Sequence, residues 1–411
     1  MRKFYIVSVV LSILTLGCSD NDGSINSHII DLEDAFDNNS QCVNLSKYAM
    51  ALDYVPLETN VESVLNMGSQ PRMQSDGKNI IVYDESCQSL KIFDCKTGRF
   101  IKSFDRKGRG PGEYVNFYSW DIKGSFGSDD FKVAVLPYNK ILIYDNRDSC
   151  LCESTIYERS INMPSTMRIF FSPQGNYLYT VDIVRRYNGN SDLYDKIDYL
   201  VLRDSTGKEL SRNLIALRML HDSFQDFPTF FTYGNEIKLT NSTRDTVFRY
   251  NKEEGLVTDY LINYGKYEYI RRMTVGTVGK ENFFNIDIIG VFESDSFIIL
   301  AGCLPEREFP QIFTKYNFHP FCISYILYDK VEKKTYALKK SPDCNYIGFI
   351  DDINGGMPFE PRFVQNNKMY QFVDAYEFIE LAKQYNVPKM KEIAATLTED
   401  SNPVLVVATL K

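Results

Sequence analysis

Histidine is scarce in this 411-residue chain: His28, His221 and His319 stand far apart, and none of the nine cysteines forms a C-x-x-C pair. Zinc coordination has no support in such a sequence, and neither a metal nor a cofactor is expected. Neither G-x-S-x-G nor H-E-x-x-H occurs, which removes the short patterns that would set up a serine nucleophile or a metal-bound water. A basic surplus is missing as well. Lys and Arg number 46 against 54 Asp and Glu, for a net charge of -8. They are scattered, so no nucleic acid is expected as a partner. These absences lean against an enzyme. Paired carboxylates of the glycosidase kind stay open, because they come together only in a fold; with 54 acidic residues, chance pairs carry no weight.

What is present begins with 44% hydrophobic and 14% aromatic residues, 28 Tyr and 28 Phe against a single Trp, enough for a large ordered core. At the N-terminus Arg2 and Lys3 precede an apolar run from Phe4 to Leu16, and Gly17 stands directly before Cys18. This arrangement resembles a bacterial lipoprotein signal, and its apolar run is short of the ~20 residues that a spanning helix needs. Thr15 holds the place where such signals usually carry leucine, with Leu14 one step further out. On this reading residues 1–17 are a signal peptide, Cys18 is the lipid attachment point, and 18–45 are a lipidated tether and N-terminal segment. Two or three acyl chains hold a protein on a membrane where one does not. The acidic Ser19–Asp22 resembles a surface-export signal. The expected location is the cell envelope, lipid-anchored to the outer membrane and either periplasmic or surface-exposed.

Removing Cys18 leaves eight cysteines, and an even number permits disulfides without requiring them. Cys87 and Cys95, read as flanking a hairpin, are the best candidate pair.

A short unit recurs through the middle of the chain: LKIFDCKTGRFIKSF (90–104), ILIYDNRDSCLCESTI (141–156), YLVLRDSTGKELSRNL (199–214), VFRYNKEEGLVTDYLI (247–262) and SYILYDKVEKKTYAL (324–338). Each joins two alternating apolar runs through an Asp or Asn and a polar turn, which is hairpin chemistry. The recurring Asp94, Asp145, Asp204, Asn251 and Asp329 are 51, 59, 47 and 78 residues apart. Spacings of that size in an all-β chain point to propeller blades. Strand-like runs at 79–84, 131–136, 177–182 and 296–302 precede four of the hairpins. A sixth blade is expected from MALDYVPLE (50–58), FVQNNKMYQFV (363–373) and the terminal NPVLVVATLK (402–411), whose pairing would close the ring and remove its edges. One helical insertion is expected at about 374–400, with Asp374 as N-cap, an apolar stripe through Phe378 and Leu381, and Pro388 opening a second helix. The expected fold is therefore an all-β, six-bladed propeller over 46–411.

VPLE (55–58), the glycine loop 104–114, RDTVFRY (244–250), YLINYGK (260–266), DDINGGMPFEP (351–361) and NPVLVV (402–407) occur in that order. Together they resemble the six-bladed β-propeller lipoprotein family of the Bacteroidetes, NHL-like or TolB-like in its blades, over nearly the whole mature chain. GRGPGEY (108–114) is similar to the inter-blade turn of NHL-type propellers. The resemblance implies the fold strongly and the function hardly at all.

The glycine loop FDRKGRGPGEY could cradle phosphate or simply turn. Phosphate loops need a strand before and a helix after, whereas strand-like YVNFYSWDI follows here, and Pro111 lacks a donor N–H. A crossing between blades is the expected role. The candidate ligand-binding residues are Arg106, Arg109, Glu113, Tyr114 and Trp120 around this loop, and Asp351, Asp352 and Asn354 in DDINGG. In that second segment an EF-type calcium loop would want glutamate where Arg362 or Phe363 stands, so an Asn-Gly turn is the expected structure. The function expected is a binding module for a glycan, peptide or partner protein. A hydrolase or lyase acting on saccharide or peptide at the central channel is the first alternative, and a structural scaffold the second.

Overall fold

The computed structural model describes residues 28–66, 72–137, 140–155, 165–173, 175, 177–187, 193–221, 228–241, 245–251, 254–268, 287–304, 322–341 and 347–411. The leader with Cys18 lies outside them.

Alternating apolar runs pair into six antiparallel four-stranded sheets, and these are the blades of a propeller. In chain order, blade 1 runs from Met73 to Phe104, blade 2 from Ser119 to Thr155, blade 3 from Ser165 to His221, blade 4 from Pro228 to Asn263 and blade 5 from Asp287 to Leu338. Blade 6 joins the two ends of the chain. Its strands are Phe363–Gln365, Lys368–Val373, Val404–Leu410 and, outermost, Ala49–Pro56. The closing pair is antiparallel, with Val404 opposite Pro56 and Ala408 opposite Leu52. First strands contact one another from blade to blade, at the axis, and fourth strands lie at the rim. Aromatic and aliphatic side chains fill the spaces between blades, as where Tyr83, Tyr114, Phe117 and Tyr144 meet between blades 1 and 2.

The five repeated hairpins are the third and fourth strands of blades 1 to 5. Their shared acid organises the turn. Asp94 Oδ1 accepts from the N–H groups of Lys96 and Thr97 at 3.1 and 2.8 Å, and Asp145, Asp204 and Asp329 do the same in their own turns. The side chain of Asn251 lies outside the described residues.

The helical insertion forms as expected between the second and third strands of blade 6. Ala375–Gln384 buries Phe378 and Leu381, with the Phe378 ring 5.7 Å from that of Tyr54 on the outer strand. Pro388 is the first residue of Pro388–Ala394, where its missing N–H costs nothing. Asp374 holds the N-cap place without making a side-chain capping bond.

A segment with no signal in the sequence straps the rim. His28–Asp31 adds a fifth, parallel strand to the outer edge of blade 4, pairing with Tyr260–Asn263. The helix Leu32–Asp37 follows, N-capped by Asp31 through a 2.9 Å bond to the Asp34 N–H. Ser40–Gln41 then pairs in parallel with Ala337–Leu338 on blade 5, before the chain enters blade 6. Ile30, Leu32 and Ala35 are at most 1% exposed, so this strap covers edges that would otherwise present unpaired N–H and C=O groups.

The structure corrects the disulfide. Cys87 and Cys95 are free thiols lying beyond opposite ends of one strand, Ser89–Asp94, not across a hairpin. That strand alone separates them by roughly 20 Å at ~3.3 Å per residue, far beyond disulfide reach.

The glycine loop crosses from Phe104, at the rim of blade 1, to Ser119, at the axis of blade 2. Its N–H groups are used in building the crossing: Gly108 donates to Tyr114 O at 2.8 Å, Tyr114 to Arg106 O at 3.1 Å and Gly112 to Glu153 of blade 2 at 2.6 Å. Gly112 has φ +65°, and a Cβ there would stand 2.8 Å from that of Cys150. The glycine is required by the turn and by the close passage over blade 2.

Candidate functional site

The first strand of each blade has one edge facing the axis, where no further strand can pair with it. Those N–H groups still need partners, and in blades 1, 2 and 3 side chains of the preceding blade supply several of them. Gln365 of blade 6 accepts from the Ser75 N–H at 2.7 Å, and Gln74 of blade 1 from the Ile122 N–H at 3.2 Å. In blade 2, Ser119 accepts from Ile169 N–H at 3.0 Å and Asp121 from Phe171 N–H at 2.5 Å. Burial pushes the Asp121 carboxyl up to about 6 despite that bond.

Within this tied arc lies a cavity of about 220 Å³ lined by Arg72, Gln74, Ser119, Trp120, Arg168 and Arg362, with Met73 and Phe363 as apolar wall. Three arginines thus converge from blades 1, 3 and 6. Arg72 is held in place: one Nη donates to Tyr118 O at 2.9 Å, and the guanidinium lies 3.9 Å from the Tyr83 ring centroid. Arg362 pairs with Glu360 at 2.9 Å, and Glu360 also accepts from the Tyr325 hydroxyl at 2.7 Å. Burial pushes Arg362 down to about 10 and Glu360 up to about 7. Arg168 opens onto the channel and makes no ion pair among the described residues. Burial within the ring lowers its pKa, and the neighbouring Arg72 charge lowers it further.

These are conditions for holding an anion. Guanidinium groups offer fixed forks of donors to carboxylate or phosphate oxygens, and a site short of negative charge gains most when one arrives. Among the described residues no carboxylate lines the cavity, and those residues include no pair of acids of the kind glycosidic cleavage uses. Among the described residues no cluster of His, Cys, Asp and Glu could hold a metal ion.

Of the residues singled out from the sequence, Trp120 alone lines this cavity. Tyr114 is 1% exposed in the core between blades 1 and 2, its hydroxyl accepting from the Arg106 N–H. Glu113 accepts from the Gly110 N–H at 2.8 Å. Arg109 is exposed and Arg106 half-buried, on the loop toward the rim. In DDINGG, Asp351 is buried and accepts from the N–H groups of Ile353, Asn354 and Gly356, the last at 2.9 Å. Asp352 binds Ser46 through both the N–H and the hydroxyl, and Asn354 donates to Leu52 O at 2.8 Å. These oxygens are engaged in building a turn, with Gly355 at φ +70°.

The arginines did leave a trace in the sequence. PRMQ (71–74) opens blade 1 and PRFVQ (361–365) opens blade 6, each with an arginine for the cavity and a glutamine for the next blade.

Comparison with known proteins agrees with the fold. A protein from Bacteroides fragilis described as exported is similar in structure at TM-score 0.56 and 16% identity, covering 93% of this chain and 99% of that one. A DUF4221 family member from Bacteroides vulgatus shows TM-score 0.45 and 9% identity, covering 88% and 97%. At such identities the likeness concerns fold alone. No curated protein matches the chain. The model of the domain of unknown function DUF4934 matches residues 27–409, and the chain belongs to that family.

Proposed function

We propose that this propeller is a binding module of the cell envelope, lipid-anchored through Cys18, that holds an acidic group of a glycan, peptide or partner protein in its central channel. The observation that carries the reading is the convergence of Arg72, Arg168 and Arg362 on one cavity, with Arg72 and Arg168 lacking a carboxylate partner among the described residues. Placement in the envelope rests on the leader, on the acidic run that follows Cys18, and on the similarity to a protein described as exported. No helix among the described residues is long and apolar enough to cross a membrane.

The test is a binding panel of acidic and neutral glycans and peptides, with crosslinking to envelope proteins in cells. Acidic members are expected to bind the wild type and to be lost from Arg168→Ala. Silence across panel and crosslinking, or a preference for neutral members that ignores Arg168, would contradict the reading. Metabolic labelling with a fatty-acid analogue checks the anchor: label is expected in the wild type and absent from Cys18→Ala.

A further inference from the structure

Building on that anion-binding reading, we propose that the channel selects a phosphate monoester, a tetrahedral dianion carried at the end of a larger molecule, over a monocarboxylate. Charge is the first reason. Arg362 is matched by Glu360 at 2.9 Å, while Arg72 and Arg168 make no ion pair among the described residues, leaving two positive charges. Asp121, the carboxylate further along the same strand of blade 2, is turned to the Phe171 N–H.

Direction is the second reason. Blades of a six-fold ring stand about 60° apart around the axis, so arginines from blades 6, 1 and 3 line one cavity from different directions. A planar carboxylate presents two oxygens in one plane, whereas a phosphoryl group presents three terminal oxygens pointing apart. Arg72 is fixed for this task by Tyr118 O and the Tyr83 ring, which use one face and one of its five donors.

Size is the third. At about 220 Å³ the cavity is small, below the roughly 300–1,000 Å³ that encloses a whole drug-sized ligand. It suits a terminal group, and Trp120, Met73 and Phe363 give the adjoining organic part an apolar wall.

Titration calorimetry with matched probes decides it: phenyl phosphate, phenyl sulfate, benzoate and inorganic phosphate, at about pH 8 where the phosphate is a full dianion. Phenyl phosphate is expected to bind about ten- to hundredfold more tightly than benzoate, and Arg168→Ala to lose a similar factor at unchanged melting temperature. Arg168→Lys is expected to restore only part, since an ammonium lacks the fork. Inorganic phosphate binding as well as the ester would place recognition in the phosphoryl group alone, supporting the proposal. If benzoate or phenyl sulfate binds as tightly as phenyl phosphate and Arg168→Ala weakens all of them, the dianion proposal falls and anion binding stands. If none binds, or Arg168→Ala binds phenyl phosphate as the wild type does, both fall.

Discussion

Lys238 and Arg168 are cations of adjacent blades, the first buried and the second open to the channel, and their surroundings have opposite effects. Lys238, 3% exposed, stands 2.8 Å from both Glu293 and Asp259. Burial alone would lower its pKa, but Glu293 and Asp259 outweigh burial and hold it above its ordinary value. Glu293 also takes Lys330 at 2.7 Å and the Tyr260 hydroxyl at 3.0 Å, tying blade 4 to blade 5. Arg168 has burial and a second arginine against it, and nothing named in its favour. A buried charge that is fully matched serves the structure. One left unmatched at a cavity is poised for a ligand. The two arcs of the ring divide accordingly: blades 4 and 5 carry the balanced ion network and the N-terminal strap, while blades 6, 1, 2 and 3 carry the open, arginine-rich channel.

The sharpest way to break this contrast is Glu293→Gln. It leaves Lys330 beside a neutral amide and Lys238 with Asp259 as its one remaining close carboxylate, and the expected cost is about 3–5 kcal/mol in urea unfolding. Phenyl phosphate binding by the folded fraction should stay at wild-type affinity; a loss of affinity would mean that the two arcs are coupled. Next comes the strap. Ile30→Ala empties a fully buried site against blade 4, and about 2–5 kcal/mol is expected, whereas a change near zero would show that the strap is dispensable to stability.

A smaller effect follows from Glu360, whose carboxyl is pushed by burial from 4.5 to about 7. Between those values the folded protein holds a proton that the unfolded chain has released, so stability falls as pH rises across the window. Glu360→Gln should flatten that slope, by on the order of 1–3 kcal/mol over the window; an unchanged slope would assign it to another group. Smallest of all, Arg168→Ala should change stability by less than about 0.5 kcal/mol, since it removes repulsion from Arg72 along with some packing. A large destabilisation would make Arg168 structural, like Lys238.

Most of the architecture could be read from the sequence because the outer hairpins of blades 1, 2, 3 and 5 are each turned by an acid accepting two N–H groups from the two to four residues that follow it, and that chemistry fixes an Asp at the same place in each. Asp94, Asp145, Asp204 and Asp329 are visible for that reason. The closing pair was legible from alternation at both ends of the chain. The strap was not: its paired stretches, His28–Asp31, Ser40–Gln41 and the Val43–Asn44 that pairs with Phe349–Ile350, are four, two and two residues long, too short for any period. The channel was missed for a related reason. First strands such as Met73–Ser75 and Phe363–Gln365 have three residues each, so their arginines show as a repeat only once the blades are aligned by the hydrogen bonds of Gln74 and Gln365. The glycine loop is conspicuous in local composition, yet its glycines answer to backbone geometry.

A crystal structure grown with phenyl phosphate decides whether the channel arginines hold an anion. Phosphoryl density is expected between Arg72, Arg168 and Arg362, with the ring toward Trp120. Density on the rim at Arg106 and Arg109 with an empty channel would contradict it.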